Sequence, residues 1–167
     1  MRTAISFVVL LVASAPFVLR ADNELIVTAA DREFIDKAAA STLAEIEMGR
    51  LAASRGQTAE IRQFGRHMMK DHSKVNTELS ALAGRKGIAL PTSMSTDQQQ
   101  TCEQLASLSG DAFDDAYIDA TRKDLDSVVG EFRREASAVG DPDLRRWVTR
   151  TLGTLHHHEE LAHHLVH

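Results

Sequence analysis

Apolar residues return at intervals of three and four along most of the chain, which marks one face of an α-helix and not the alternation of a half-buried strand. Over residues 31–55 the stripe is Phe34, Ile35, Ala38, Leu43, Ile46 and Leu51, with Gly56 as a stop. Over 58–86 it is Ile61, Gly65, Met68, His72, Val75, Leu79 and Leu82, closed by Gly87. A short helix opens at Ser95, where Ser95-x-x-Gln98 has the form of a capping box. A third long helix starts near Asp111 and carries Ile118, Thr121, Leu125, Val129, Phe132, Ala136 and Val139. The fourth starts at Asp141-Pro142, an N-cap followed by proline at the first helical position, and carries Leu144, Val148, Thr151, Leu155, His158, Ala162 and Leu165.

Connection lengths then constrain topology. Little more than Gly56-Gln57 separates the first two helices, and the last two meet around Gly140, so each pair folds back as a hairpin. The segment 87–110 between the pairs is long enough to run the length of a bundle. Two hairpins joined by one long crossover predict an all-α, ferritin-like four-helix bundle over residues 31–167. A weak internal repeat supports pairing the second helix with the third: Lys70-Asp71 through Glu78-Leu79 lines up with Lys123-Asp124 through Glu131-Phe132. Its one notable mismatch sets His72 against Leu125.

Residues 1–21 have a different character. Arg2, the apolar run of residues 5–13 and the small residues Ala13-Ser14-Ala15 form a targeting segment, too short for a bilayer core that needs about 20 apolar residues. The cleavage point is open: Pro16 directly follows Ala15, and Leu19-Arg20-Ala21 is a less regular option. Cleavage releases a periplasmic or secreted protein; retention leaves it tethered to the inner membrane. Residues 22–30 read as a linker. No cysteine lies near the segment, which excludes a lipid anchor there.

Composition narrows the function. The 167 residues are 43% hydrophobic and only 5% aromatic, with a formal charge of −5. Without residues 1–21 the balance is 17 basic against 24 acidic residues. Nucleic acid, which calls for a basic face and stacking platforms, is therefore not an expected partner; a divalent metal or another envelope protein is. A single cysteine, Cys102, rules out an internal disulfide, a four-cysteine zinc site and a CxxC redox motif. It is either buried and inert or open to intermolecular pairing.

The candidate chemistry is in polar residues on apolar stripes. His72 lies between Met68 and Val75, His158 between Leu155 and Ala162, and Glu45 at a stripe edge beside Leu43 and Ile46. An unpaired buried polar group costs about 1–3 kcal/mol, so these three should satisfy one another or share a ligand. Inward Glu and His from different helices suit a transition metal such as zinc, iron or manganese, and not calcium. The alternative is a polar layer that fixes helix register and binds nothing. The usual di-iron pattern is missing, since Glu160-x-x-His163 near the C-terminus is the one Glu-x-x-His, and redox di-metal chemistry is disfavoured.

Six of the eight histidines fall in the last twelve residues. Glu159 with His163, Glu160 with His164, and His163 with His167 are i,i+4 neighbours able to chelate an ion between turns; without metal they form a solvated face. No Gly-x-Ser-x-Gly, Walker loop, Gly-x-Gly-x-x-Gly or His-Glu-x-x-His occurs. Met48, Met68 and Met69 follow packing stripes and read as core, as do Tyr117 and Trp147. No catalytic residue is assigned.

Four blocks resemble a known family: Ala44-Glu45-Ile46-Glu47-Met48-Gly49-Arg50-Leu51-Ala52, Phe64-Gly65-Arg66-His67-Met68-Met69-Lys70-Asp71-His72, Gly110-Asp111-Ala112-Phe113-Asp114-Asp115-Ala116-Tyr117, and Thr151-Leu152-Gly153-Thr154-Leu155-His156-His157-His158. The resemblance is to the exported bacterial family catalogued as domain of unknown function 4142. It implies a ferritin-like fold, an envelope location, no established activity, and inward residues at Glu45, His72 and His158. The family pattern has Asp-His in the third long helix where this chain has Asp124-Leu125, and Pro where it has Gly153. Asp124 or water would then stand in for the missing histidine. The expectation is an exported bundle that binds or senses something in the envelope and is not a catalyst.

Overall fold

The structure, a computed structural model, describes residues 27–165. They form five helices: α1 (Ala29–Arg55), α2 (Ala59–Arg85), α3 (Thr96–Ser107), α4 (Asp111–Ala138) and α5 (Pro142–His164). No strand occurs among the described residues, so the all-α reading holds. The expected targeting segment 1–21 lies outside the described residues. Among those described, no helix is long and apolar enough to cross a membrane.

Local chemistry sets the helix ends. α1 begins at Ala29, earlier than periodicity suggested and inside the expected linker 22–30. The cause is a capping box: Asp31 N donates to Thr28 Oγ1 at 3.1 Å while Thr28 N donates to Asp31 Oδ2 at 2.8 Å. Ser95 and Gln98 form the expected box at α3. Asp141 caps α5 by accepting from Asp143 N and Leu144 N, with Pro142 next. The N-cap of α4 is Gly110 at φ +62°, a left-handed conformation that favours glycine. At the far end of α5, Arg122 of α4 donates to the carbonyls of Ala162 and Leu165 at 3.0 and 2.8 Å.

α1 packs most extensively on α2 and α4 on α5; α2 also meets α5, α1 meets α4, and α3 rests on α1 and α4. The α1–α2 crossing is held by two glycines. A Cβ on Gly65 would lie 2.6 Å from both Ala53 N and Gly49 O, which no side chain tolerates. This close approach sets the rotation of α1 and corrects the expected stripe. Leu43 and Ile46 are only half-buried, whereas Glu45, one turn before Gly49, is 2% exposed.

Two aromatic layers bracket the middle of the core. At one end Phe34 meets Phe132 edge-on at 5.0 Å, and Trp147 lies 5.5 Å from Phe132. At the other, Phe113 stacks on Tyr117 at 5.9 Å and Phe64 meets Tyr117 at 6.3 Å. Tyr117 and Trp147 are buried as expected, and so are Met48 and Met68, while Met69 is half-buried. Full burial of a large apolar side chain stabilises by about 1.5–3 kcal/mol, so these layers readily carry a polar layer between them. Cys102 is buried, and burial pushes its thiol up to about 11, which suits the inert alternative.

Candidate functional site

The polar residues form a file across the core. His72 Nδ1 on α2 lies 2.8 Å from Glu45 Oε2 on α1. On its other side His72 Nε2 lies 3.1 Å from His158 Nδ1 on α5. His158 Nε2 lies 3.1 Å from Asp71 Oδ2, back on α2. Glu45, His72 and His158 are 2%, 1% and 0% exposed, whereas the Asp71 side chain is 38% exposed. The three inward residues expected from the sequence are therefore brought together. Asp71 was not anticipated. Consecutive helical residues diverge by about 100°, so Asp71 leaves the stripe that carries His72 and meets the ring of the neighbouring helix.

Hydrogen-bond polarity allows one neutral arrangement of the two rings. A carboxylate only accepts, so His158 Nε2 carries the proton donated to Asp71. In neutral His158, Nδ1 must then accept, and His72 Nε2 donates to it. That leaves His72 Nδ1 facing Glu45. The approach there is close, but it lacks the angle of a hydrogen bond, and both His72 Nδ1 and Glu45 Oε1 are buried without a hydrogen-bond partner.

Charges in the layer push one another. Burial opposes protonation of His72, but Glu45 first, then Asp124 and Asp71, outweigh it and raise its pKa. His158 is lowered, by burial and then by the charge of His72, against the pull of Asp71. Asp124 on α4, half-buried as a residue, has its carboxyl pushed up to about 7 by burial and then by Glu45, with His72 opposing.

Asp124 and Asp71 each line a surface cleft. Asp124 lines one of ≈ 440 Å³ between α1, α3 and α4, together with Gln98, Thr101, Gln104 and Lys123. Asp71 lines another of ≈ 270 Å³ between α2 and α5, with Lys74, Glu78 and Arg150. As placed, the groups stand in line, and among the described residues no three His, Cys, Asp or Glu side chains converge as a ready ligand cage.

The C-terminal candidates are engaged singly. His163 Nε2 lies 3.5 Å from Asp126 on α4, His164 Nδ1 lies 2.6 Å from the backbone oxygen of Glu160, and the Glu160 residue is exposed. His156 accepts from Arg133 at 3.2 Å. His167 lies outside the described residues.

These features define an all-helical protein with a buried Glu–His–His row that ends on a half-exposed Asp. The family model for Domain of unknown function (DUF4142) matches residues 18–165, and the chain belongs to that family. Searches of curated proteins and of solved structures find no match.

Proposed function

We propose that the protein is an exported, ferritin-like four-helix bundle of the bacterial envelope that binds one divalent transition-metal ion in its core. The observation that carries this reading is a buried imidazole nitrogen and a buried carboxylate side by side, His72 Nδ1 2.8 Å from Glu45 Oε2, with neither Nδ1 nor the other oxygen, Oε1, in a hydrogen bond. Leaving both bare costs about 1–3 kcal/mol each, and a cation between the rods removes both penalties at once. Asp124, whose carboxyl is coupled by charge to both, would supply the third donor. Two carboxylates and one neutral imidazole around a dication sum to zero net charge, the state least penalised in a dry core. One nitrogen and two oxygens suit zinc, manganese or iron(II). His158, one of the three inward residues expected to ligate, takes an outer place, because its Nδ1 is turned to His72 and its Nε2 to Asp71. Export is inferred from the sequence pattern of residues 1–21, and tethering follows if that segment is retained.

The test removes the C-terminal chelators first. A variant with His163, His164 and His167 changed to Ala is stripped with chelator and titrated with Zn(II) and Mn(II). One equivalent should bind, and His72→Leu and Glu45→Gln should each abolish it. At a free ion concentration 100-fold above Kd, the gain in stability is about 2.7 kcal/mol. Failure of the tail-free protein to bind either ion overturns the reading.

A further inference from the structure

We infer that His158 and Asp71 are positioning residues that hold the His72 ring with Nε2–H turned away from α1, so that Nδ1, toward Glu45, is the nitrogen left to meet a metal ion. The argument concerns direction, and its metal consequence rests on the reading above. A free imidazole offers either nitrogen to a ligand, and the two tautomers are close in energy. In this core the choice is removed in two steps. Asp71 can only accept, so it draws the proton of His158 to Nε2 across 3.1 Å. His158 Nδ1 is thereby an acceptor and draws a proton to His72 Nε2, again across 3.1 Å. Both rings are buried, and they lie 5.1 Å apart at 38°, so a turn of one disturbs the other.

This differs from an ordinary carboxylate–histidine orienting pair in its reach. The carboxylate that sets the ring acts through a second imidazole, and it lines the α2–α5 cleft with Lys74 and Arg150. The geometry also explains why two histidines stand in the core when the proposed site takes one. It further accounts for Asp71: it precedes His72 in sequence yet bonds the ring of another helix.

The experiment uses the full chain carrying the tail substitutions described above, labelled with ¹⁵N at histidine. Imidazole ¹⁵N spectra of the metal-free protein should show His158 with its proton on Nε2. With one equivalent of Zn(II), His72 should carry its proton on Nε2 and the ion on Nδ1. Asp71→Ala, at a half-exposed position where folding is little affected, should weaken Zn(II) binding about 10–100-fold. Asp71→Asn, whose amide oxygen still accepts, should keep most of the affinity. His158→Leu serves as the stronger variant where it folds, with the same direction of change. A proton on Nδ1 of His158 in the metal-free protein, or unchanged Zn(II) affinity in Asp71→Ala, overturns the inference. If the tail-free protein binds no ion, the functional reading falls, and the His158 spectrum alone still decides the positioning role.

Discussion

Asp141 and Glu45 are both buried carboxylates, 3% and 2% exposed, and they are partnered in opposite ways. Asp141 accepts from two backbone N–H groups at the start of α5 and from Lys86 Nζ at 2.6 Å. Burial works to raise its pKa, but Lys86 and the two N–H groups overcome this and hold it below the usual carboxylate range. Asp114, 0% exposed, is similarly engaged: it takes the N–H groups of Gln57 and Thr58 that lead into α2. Glu45 has one oxygen near an imidazole and the other without a hydrogen bond. Burial alone therefore does not separate scaffold from site. The separating feature is whether the acceptor's lone pairs are used by the chain itself.

Substitutions can break that contrast. Asp141→Ala removes a cap and the partner of Lys86, and should have the largest effect on stability, about 2–3 kcal/mol, lowering Tm by roughly 10 °C with or without metal. Asp114→Ala should cost about 1–2 kcal/mol, read by chemical denaturation, because two N–H groups lose their acceptor. A metal-independent loss at Glu45 of the size expected at Asp141 would erase the distinction.

The pH dependence is a smaller effect and differs in sign between the two regions. Asp141, with its folded pKa lowered, contributes stability present above its unfolded value near 3.8 and lost as pH falls. Asp124, raised to about 7, contributes stability present below its unfolded value near 3.8 and lost as pH rises toward 7; the raised His72 loses its contribution only above 6.5, and the lowered His158 opposes Asp124 by gaining as pH rises toward 6.5. In chelator, the part of the stability that Asp124 supplies should therefore decline from about pH 4 toward pH 7, and stability should also fall below pH 4. Asp124→Asn should flatten the upper limb and leave the lower one, whereas Asp141→Ala should flatten the lower. The smallest change in stability is expected for Glu45→Gln in chelator, because the charge that raises His72 is lost but Oε1 gives up no hydrogen bond. The same variant should show no gain in Tm on adding Zn(II), where the parent gains.

Much of the architecture was legible from residue order. Periodicity located the four long helices, Ser95-x-x-Gln98 the short one, and Asp141-Pro142 the start of α5, because backbone hydrogen bonding and capping are local interactions. The start of α1 was misplaced since Thr28-x-x-Asp31, a capping box with Asp in place of Glu, lies ahead of the first apolar residue of the stripe. The stripe around Glu45 was misjudged for a different reason, with Glu45 inward as expected but Leu43 and Ile46 placed too deep. Leu43 and Ile46 outrank Glu45 in hydrophobicity, yet the Gly49–Gly65 contact turns α1 so that Glu45 faces inward.

What the amino-acid order determined by itself was the helical class, the helix ends and the presence of inward imidazoles, all set by interactions within a few residues. Tertiary structure alone decided that Asp71 meets His158, that His158 meets His72, and that Nδ1 of His72 is brought against the Glu45 carboxylate. The imidazole relations join α2 and α5 across 86 and 87 positions of chain, and no local spacing encodes a direction between side chains that only packing brings within 3.1 Å.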